Sequence, residues 1–561
     1  MWFATVLRDG NWPVSSLDSP AKQEADLRDR IRHAHDLGLN TFVFQAVSRG
    51  DAMYSSERLP WSAQLKGAAQ DPGFDPLAVA IEEAHAQGME LHAWINVHRV
   101  GDVSTVSEFS SATSPGHVYY EHPGWVQSVS GALWLDPSSV EGRQWLVENV
   151  MEIVDNYDID AVHFDFIRYP QGGLPDDLTS FQFDPRGFSD IGDWRRDNVT
   201  QFVADVSAAV WAEHPWVKIG SAPFGNYENF GGAWPASWAL TDVFQESREW
   251  LAAGTHDYLA PQIYFDIGRE PEPPNTYDSP DFAFLVEDWV SNASNRPIFV
   301  GHGPYKPVVL EELNNQIDLT RTESAAGQFF FRYDHVKNFD FSLSYPAQSL
   351  PAPMRHRFEA AAPDAPSDLS ASLVATTNGY RFDLSWTASA GTDVDPLRGY
   401  AVFRSASGAP SITTGDDLAS FVWAGETTYS EELPSDDGYT YQVLAVSRLG
   451  LPSLPSNPAL AIPVGVDAPA RPVESVLTID SIHPNPATEQ ITLSFRAAAG
   501  KDVNVAVVDL VGRQVISTRI GSSDNGWNAA LLDVRDLPAG FYVVTLQSEF
   551  AFASAPFVIA R

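Results

Sequence analysis

The sequence predicts an α/β chain in which a (β/α)8 TIM-type barrel over residues 1–360 is followed by two all-β sandwich domains, at 365–465 and 473–561. Three observations predict it. Eight short β-rich runs alternate with amphipathic helical stretches over the first 360 residues, the pattern of parallel βαβ units. After Ala360 the helical period stops, and short alternating strands with regular turns take over. The open doubly wound sheet, the rival architecture, brings a Gly-rich phosphate loop after an early strand, and none is present.

The eight runs are, in order, 2–6, 40–47, 89–97, 159–166, 217–222, 258–264, 297–301 and 328–332. Between the first two, Leu27, Ile31 and Ala34 recur at helical spacing and Gly38 stops the helix. The stretches 76–87 and 140–157 behave likewise, with Ser138 or Ser139 as N-cap of the second. Residues 361–367 and 463–472, rich in Ala and Pro, read as linkers.

Composition excludes several function classes. The 73 acidic residues outweigh 35 basic ones for a net charge of -38, which repels nucleic acid and anionic membranes. There is no cysteine, hence no disulfide, thiolate metal site or Cys nucleophile. No apolar run is long enough to span a membrane as a helix. Residues 1–6 already read as a strand, so no signal peptide is visible, and one is expected to be missing upstream if the protein is exported. Aromatic residues make up 12%, which suits both cores and stacking on sugar rings.

In such a barrel the functional side chains lie at the C-terminal ends of the strands. Those positions offer Arg49, Asp51 and Tyr54 after the second strand, and Trp94, Asn96 and His98 on the third. The fourth gives His163, Asp165, Arg168 and Tyr169, and the sixth Gln262, Tyr264 and Asp266. Glycosidic hydrolysis takes two carboxyl groups, one ionised and one protonated. Asp165, ending an apolar strand, is expected to be the nucleophile or base, with Arg168 keeping it ionised. Asp266 is the provisional acid, and Glu246 and Asp334 compete for that part. The remaining residues, with Trp234, read as substrate contacts: hydrogen bonds of both senses for hydroxyls and rings for stacking. Arg49 and Asp51 could equally be a local ion pair. His92, His98, His163 and Asp165 invite a metal check, but no HExxH occurs, and neither metal nor cofactor is expected. The loop 225–232 reads as a mobile rim.

Several of these segments carry a resemblance. Asp51 to Ser55, Trp61 to Gly67, Phe74 to Leu77, His92 to Asn96, Asn156 to Asp165 and Ala260 to Tyr264 resemble glycosyl-hydrolase-like family 10 across nearly the whole barrel. The resemblance implies a carbohydrate-active enzyme with an oligo- or polysaccharide substrate. The chain departs from it at Phe166, where many relatives carry a second acid, and at Ala161, where Gly is usual. The missing acid leaves Asp165 as the lone carboxylate of that strand and keeps a rival open, a non-catalytic glycan-binding surface protein. A metal-dependent deacetylase is the third reading. Leu384 to Trp386, Gly399 to Phe403 and Tyr439 to Val446 are similar to a fibronectin type III domain, which implies a spacer or binding module without chemistry of its own. His483 to Ala487, Val503 to Asp509, Gly512, Arg513 and Leu537 to Val544 resemble the C-terminal sorting domain of the type IX secretion system. That likeness implies the secretion machinery as a partner and a secreted or surface-attached protein.

Overall fold

The structure, a computed structural model, describes all residues except 7–11, 110–114, 229–237, 270–279, 358–361, 378, 407, 413–414, 435–437, 464–476, 498–501, 510–512, 522–526, 549–551 and 561. Trp234, most of the second expected linker and the far half of the loop 225–232 therefore lie outside the described residues. The chain gathers into two compact units, the first made of Met1–Pro363, Ala390–Arg398 and Val446–Pro452.

That unit contains the eight-stranded barrel. Its strands are β1 (Trp2–Phe3), β2 (Thr41–Val47), β3 (Glu90–Asn96), β4 (Ala161–Asp165), β5 (Lys218–Ser221), β6 (Tyr258–Leu259), β7 (Phe299–His302) and β8 (Gly327–Phe330). β1 to β6 form one parallel ladder in chain order, and β7 pairs with β8. Single parallel bridges, Leu259 to Ile298 and Trp2 to Phe331, join the two pieces into a ring.

Two strands are shorter than their sequence runs, for identifiable reasons. Beyond Phe3 the N–H groups of Thr5 and Val6 turn to the side-chain oxygen of Gln45 instead of the ladder. In β6, Pro261 has no N–H to give, so pairing resumes only as isolated bridges at Gln262.

The helices begin where capping chemistry requires. Ser19 caps Pro20–Asp36 by accepting from Lys22 N–H, and Asp75 caps Pro76–Ala86 by accepting from Ala78 N–H. Ser139 caps Val140–Asn156, while Ser138 turns its hydroxyl to Asp136. One feature was not legible in the sequence: between β3 and the helix after it, Arg99–Asp102, Val126–Val129 and Ala132–Leu135 form a separate three-stranded sheet.

The barrel interior is filled by side chains of alternate positions. Trp2, Trp94, Tyr258 and Phe329 pack there, all under 5% exposed. A buried polar chain threads them. Glu90 bonds His92 at 3.0 Å, His92 and His163 each lie 2.9 Å from the Tyr258 hydroxyl, and Trp2 Nε1 donates to His163 Nε2 at 2.9 Å. At its lower end the Lys218 ammonium bonds Glu90, with Arg398 3.9 Å away. Burial alone would push the Glu90 carboxyl up, but Lys218, the His92 bond and Arg398 hold it well below the usual carboxylate range. Removing one partner of such a pair strands the other charge. Lys218→Met should therefore destabilise the fold by about 3–5 kcal/mol in urea titrations, and Glu90→Gln added to it should recover most of the loss.

The second unit is all-β. One four-stranded sheet holds Thr428–Leu433, Tyr380–Thr387, Ser367–Ala375 and Ile462–Pro463. Another holds Leu418–Trp423, Leu397–Ser405, Thr440–Ser447 and Ala459–Leu460. Trp386 meets Tyr400 edge-on at 5.2 Å. The last residues fold into a three-stranded and a four-stranded antiparallel sheet around Ile491, Phe495, Val505 and Val544, all fully buried. Among the described residues no helix is long and apolar enough to cross a membrane.

Candidate active site

Register decides which side chains reach the barrel mouth. β3 and β4 pair with Trp94 opposite His163 and Asn96 opposite Asp165. All four share the inward parity, yet each pair of residues along a strand is a step of about 6.6 Å in depth. Asp165, the last residue of β4, is at the rim, and His163 lies one layer below it.

The Asp165 carboxylate accepts the N–H of Phe166 at 2.7 Å and the side-chain N–H of Gln262 at 3.3 Å. Gln262 is fixed in turn by donating to the Ala222 carbonyl at 2.8 Å. Among the described residues no cation lies within ion-pair distance of Asp165. Burial pushes its carboxyl above the usual range, opposed by the Phe166 N–H, Arg168, Gln262 and Arg99. The expectation that Arg168 would lower it is corrected: Arg168 acts in that direction, but burial outweighs it.

The backbone next to Asp165 is strained. Phe166 has φ 50°, a left-handed conformation that a bulky aromatic residue adopts only under external constraint. It places its ring under two guanidinium groups, Arg99 at 5.2 Å and Arg168 at 4.8 Å. Arg168 also lies over Trp134 at 5.3 Å and Phe224 at 4.7 Å, and donates to the Tyr169 carbonyl. The inserted sheet supplies Arg99 and Trp134 to this wall. Opposite stand Tyr264, stacked on Phe331 at 5.8 Å, and Tyr305, edge-on to Tyr264 at 5.8 Å and 43% exposed. The Tyr264 phenol is pushed far up by burial and by the charge of Asp165. Gly303 permits this approach, since a Cβ there would sit 2.8 Å from the Tyr264 ring.

The structure thus brings together Asp165, Asn96, Arg168, Gln262 and Tyr264, with Trp94 beneath them. Trp94 Nε1 donates to Asn96 Oδ1 at 2.9 Å, and Asn96 donates to the Ser48 carbonyl at 2.7 Å. Both are over 90% buried and shape the floor.

Other expected contacts lie elsewhere. His163 spends both ring nitrogens on Trp2 and Tyr258 inside the barrel, which leaves none for a substrate or a metal. His98 is buried edge-on against Phe202. Tyr54 is fully buried and donates to Glu152 on the helix Val140–Asn156, outside the barrel. Tyr169 is fully buried and accepts from Asn198. Arg49 donates to Thr105 and lies over Phe109. Asp51 accepts the Arg49 backbone N–H and the Ser48 hydroxyl, so the two residues make a turn and not a side-chain ion pair.

The second carboxyl has three candidates. Asp266 is gripped by Arg269, whose Nε and Nη2 lie 2.6 and 2.5 Å from one oxygen. Asp334 faces Arg30 and Lys337, and Arg30 belongs to the helix Pro20–Asp36 outside the barrel. Glu246 is half-buried. Burial pushes its carboxyl up, Arg196 at 3.9 Å opposes, and the neighbouring acids Glu249, Asp193 and Asp197 push it further. Its neighbour Gln245 donates to the Ile167 carbonyl and accepts from Phe224 N–H. Two residues earlier Phe244 repeats the strain of Phe166, at φ 57°. The sequence offered Glu246 only as one acid among several. Phe224, Tyr305 and Phe331 were missed altogether, because elements far apart in the chain deliver them.

Among the described residues one group could hold a metal ion, Asp155, Glu213 and His214. It sits at the C-terminal ends of the helices Val140–Asn156 and Ile191–Glu213, the end of the barrel opposite Asp165.

Comparison with known proteins agrees with this anatomy. Residues 1–280 match the family described as glycosyl hydrolase-like 10, and residues 481–560 match the secretion system C-terminal sorting domain, which marks a secreted or cell-surface protein. Glycosyl hydrolase DigH of Escherichia coli (strain K12) is 32% identical over 371 residues, 60% of this chain and 83% of its own length. Glycosyl hydrolase YngK of Bacillus subtilis (strain 168) is 33% identical over 335 residues, 57% of this chain; the chain spans only 61% of that relative. The solved glycoside hydrolase domain of PgaB (BpsB) from Bordetella bronchiseptica has a TM-score of 0.41 at 15% identity, covering 59% of this chain and 94% of that one. With a relative at 32% identity covered over 83% of its length, the chain belongs to the glycosyl hydrolase-like 10 family.

Proposed function

We propose that the protein is a secreted glycoside hydrolase that cleaves O-glycosidic bonds of an oligo- or polysaccharide with two carboxyl groups, Asp165 ionised and Glu246 protonated. The observation that carries the reading is the Asp165 carboxylate, held by Gln262 and the Phe166 N–H at an aromatic-walled mouth, with no cation in ion-pair contact among the described residues. Arg168 and Arg99 favour its charged form, in opposition to the rise that burial imposes. Glu246, pushed up by burial and by like charges, suits proton donation to a leaving oxygen. Asp266, the acid expected from sequence, has its carboxylate committed to Arg269.

Leaving-group dependence separates the parts. Glu246→Gln should lose about 10²-fold or more on natural glycosidic bonds, yet only a few-fold on a dinitrophenyl glycoside that needs no proton. That pattern in Asp266→Asn instead would move the acid to Asp266. Unchanged hydrolysis in both, with Asp165→Asn also active, would sink the two-carboxyl reading. Glycan binding without turnover in the wild type would replace it by a surface binder.

Arg168 offers a pH test. It opposes the rise of the Asp165 carboxyl, so Arg168→Met should raise that pKa further. The acid limb of kcat/KM should then move to higher pH than in the wild type. An unmoved limb would remove Asp165 from it.

A further inference from the structure

The loop leaving β4 carries more than Asp165. Within it the short helix Asp177–Phe183 lifts Phe183 almost wholly into solvent, 91% exposed, and leaves Leu178 58% exposed. This is no frayed end. Asp177, fully buried, accepts the Leu174 N–H and the Arg195 guanidinium at 2.7 Å each, pinning the helix to the rim. Next to Phe183 opens a recess of about 410 Å³, lined by Ser138, Thr179, Ser180, Asp184 and Arg186. That volume falls within the range of about 300–1,000 Å³ usual for small-ligand sites.

The lining chemistry selects a ligand class. The hydroxyls of Thr179 and Ser180 and the Asp184 carboxylate stand side by side, beside an unburied aromatic face, while the Ser138 hydroxyl is spent on Asp136. The guanidinium of Arg186 is already spent on Asp197 and Asn198, at 2.8 and 2.6 Å. The recess therefore presents no uncommitted cation to an anionic ligand, and the chain's net charge of -38 repels one.

A second observation points the same way. Among the described residues 1–357, every large exposed hydrophobic except Leu343 lies on a segment leaving the C-terminal end of a strand or at the start of the next helix. Leu17 follows β1, Val103 follows β3, Leu178 and Phe183 follow β4, and Tyr305 follows β7. A long ligand crossing this rim would meet these side chains in turn.

We propose that the recess at Phe183, Ser180 and Asp184 is a second carbohydrate subsite, taking a neutral pyranose unit of a polymeric glycan with Phe183 as its stacking platform. The ligand class rests on the glycoside hydrolase reading, but the site does not need Asp165 chemistry. Asp165→Asn protein is passed over insoluble chitin, xylan, mannan and β-glucan, with and without Phe183→Ala or Phe183→Trp. The expected result is retention on at least one polymer, weakened at least tenfold by Phe183→Ala and kept by Phe183→Trp. In the otherwise unmodified protein, Phe183→Ala should leave kcat/KM for a short aryl glycoside unchanged. Retention on no polymer, or equal retention with and without the ring, overturns the proposal. Binding without cleavage would keep this subsite and remove the catalytic reading; cleavage with Phe183→Ala fully retained would do the reverse.

Discussion

Asp165→Asn is expected to lower hydrolysis by about 10³-fold or more while the fold stands. Asparagine keeps the size and can still accept from Gln262 and the Phe166 N–H, so the mouth keeps its shape. What it loses is the charge at the anomeric carbon and the ability to attack or to take a proton. Stability should move the other way. The folded Asp165 carboxyl holds its proton more tightly than the unfolded chain does. Its contribution is thus complete below the unfolded pKa and is lost as pH rises through the raised one. At neutral pH the carboxylate is a burden, and the melting temperature of the variant should equal or exceed that of the wild type. Lost activity with a clearly lower melting temperature would mark Asp165 as a structural residue.

The fold was legible because its signals are local. Eight alternating runs, capped helices and the parity of Trp94, Asn96, His163 and Asp165 can all be read from neighbours in the chain. Depth cannot. His163 and Asp165 share one face of β4, but one more layer puts the histidine against Trp2 and Tyr258 and the aspartate at the rim. Tyr54 and Tyr169 illustrate a second limit. Both follow strand ends, where functional side chains collect, yet their rings turn outward to Glu152 and Asn198.

The site's walls were illegible for another reason. The aromatic cage of Arg168 draws Trp134, Phe166 and Phe224 from three separate segments, one of them the inserted sheet. Arg269, three residues on, folds back onto Asp266, a contact set by loop conformation. Glu246 gains its standing from burial and from acids on another helix. In each case the missing information is which loops meet, and the sequence encodes that only through the closed barrel.

Acidification should unfold the barrel steeply, well before the ordinary carboxylates titrate. Burial lowers His98 and His256 to about 3 and His302 to about 4, and lowers His92 and His163 as well. The geometry explains why: His98 Nδ1 and His302 Nε2 have no partner, and His256 is stacked on Trp250. Unfolded, each takes a proton near pH 6.5. Between that value and the lowered ones the native state binds fewer protons. Stability is therefore full above about pH 6.5 and falls as pH drops toward 4. Each such histidine contributes about 1.4 kcal/mol per pH unit. His98, His256 and His302 together give a slope of about 4 kcal/mol per unit, reduced by opposing protons on Asp177, pushed up to about 6 by burial, and on Asp165 and Glu246, which burial also raises. Thermal unfolding followed from pH 7.5 to 5 should show the melting temperature nearly level above about pH 6.5 and falling below it. His98→Phe, which fits the apolar contact with Phe202, should flatten that slope by one proton. An identical pH dependence in wild type and variant would mean that His98 is already charged in the native barrel, and the buried-neutral account of its core would fall with it.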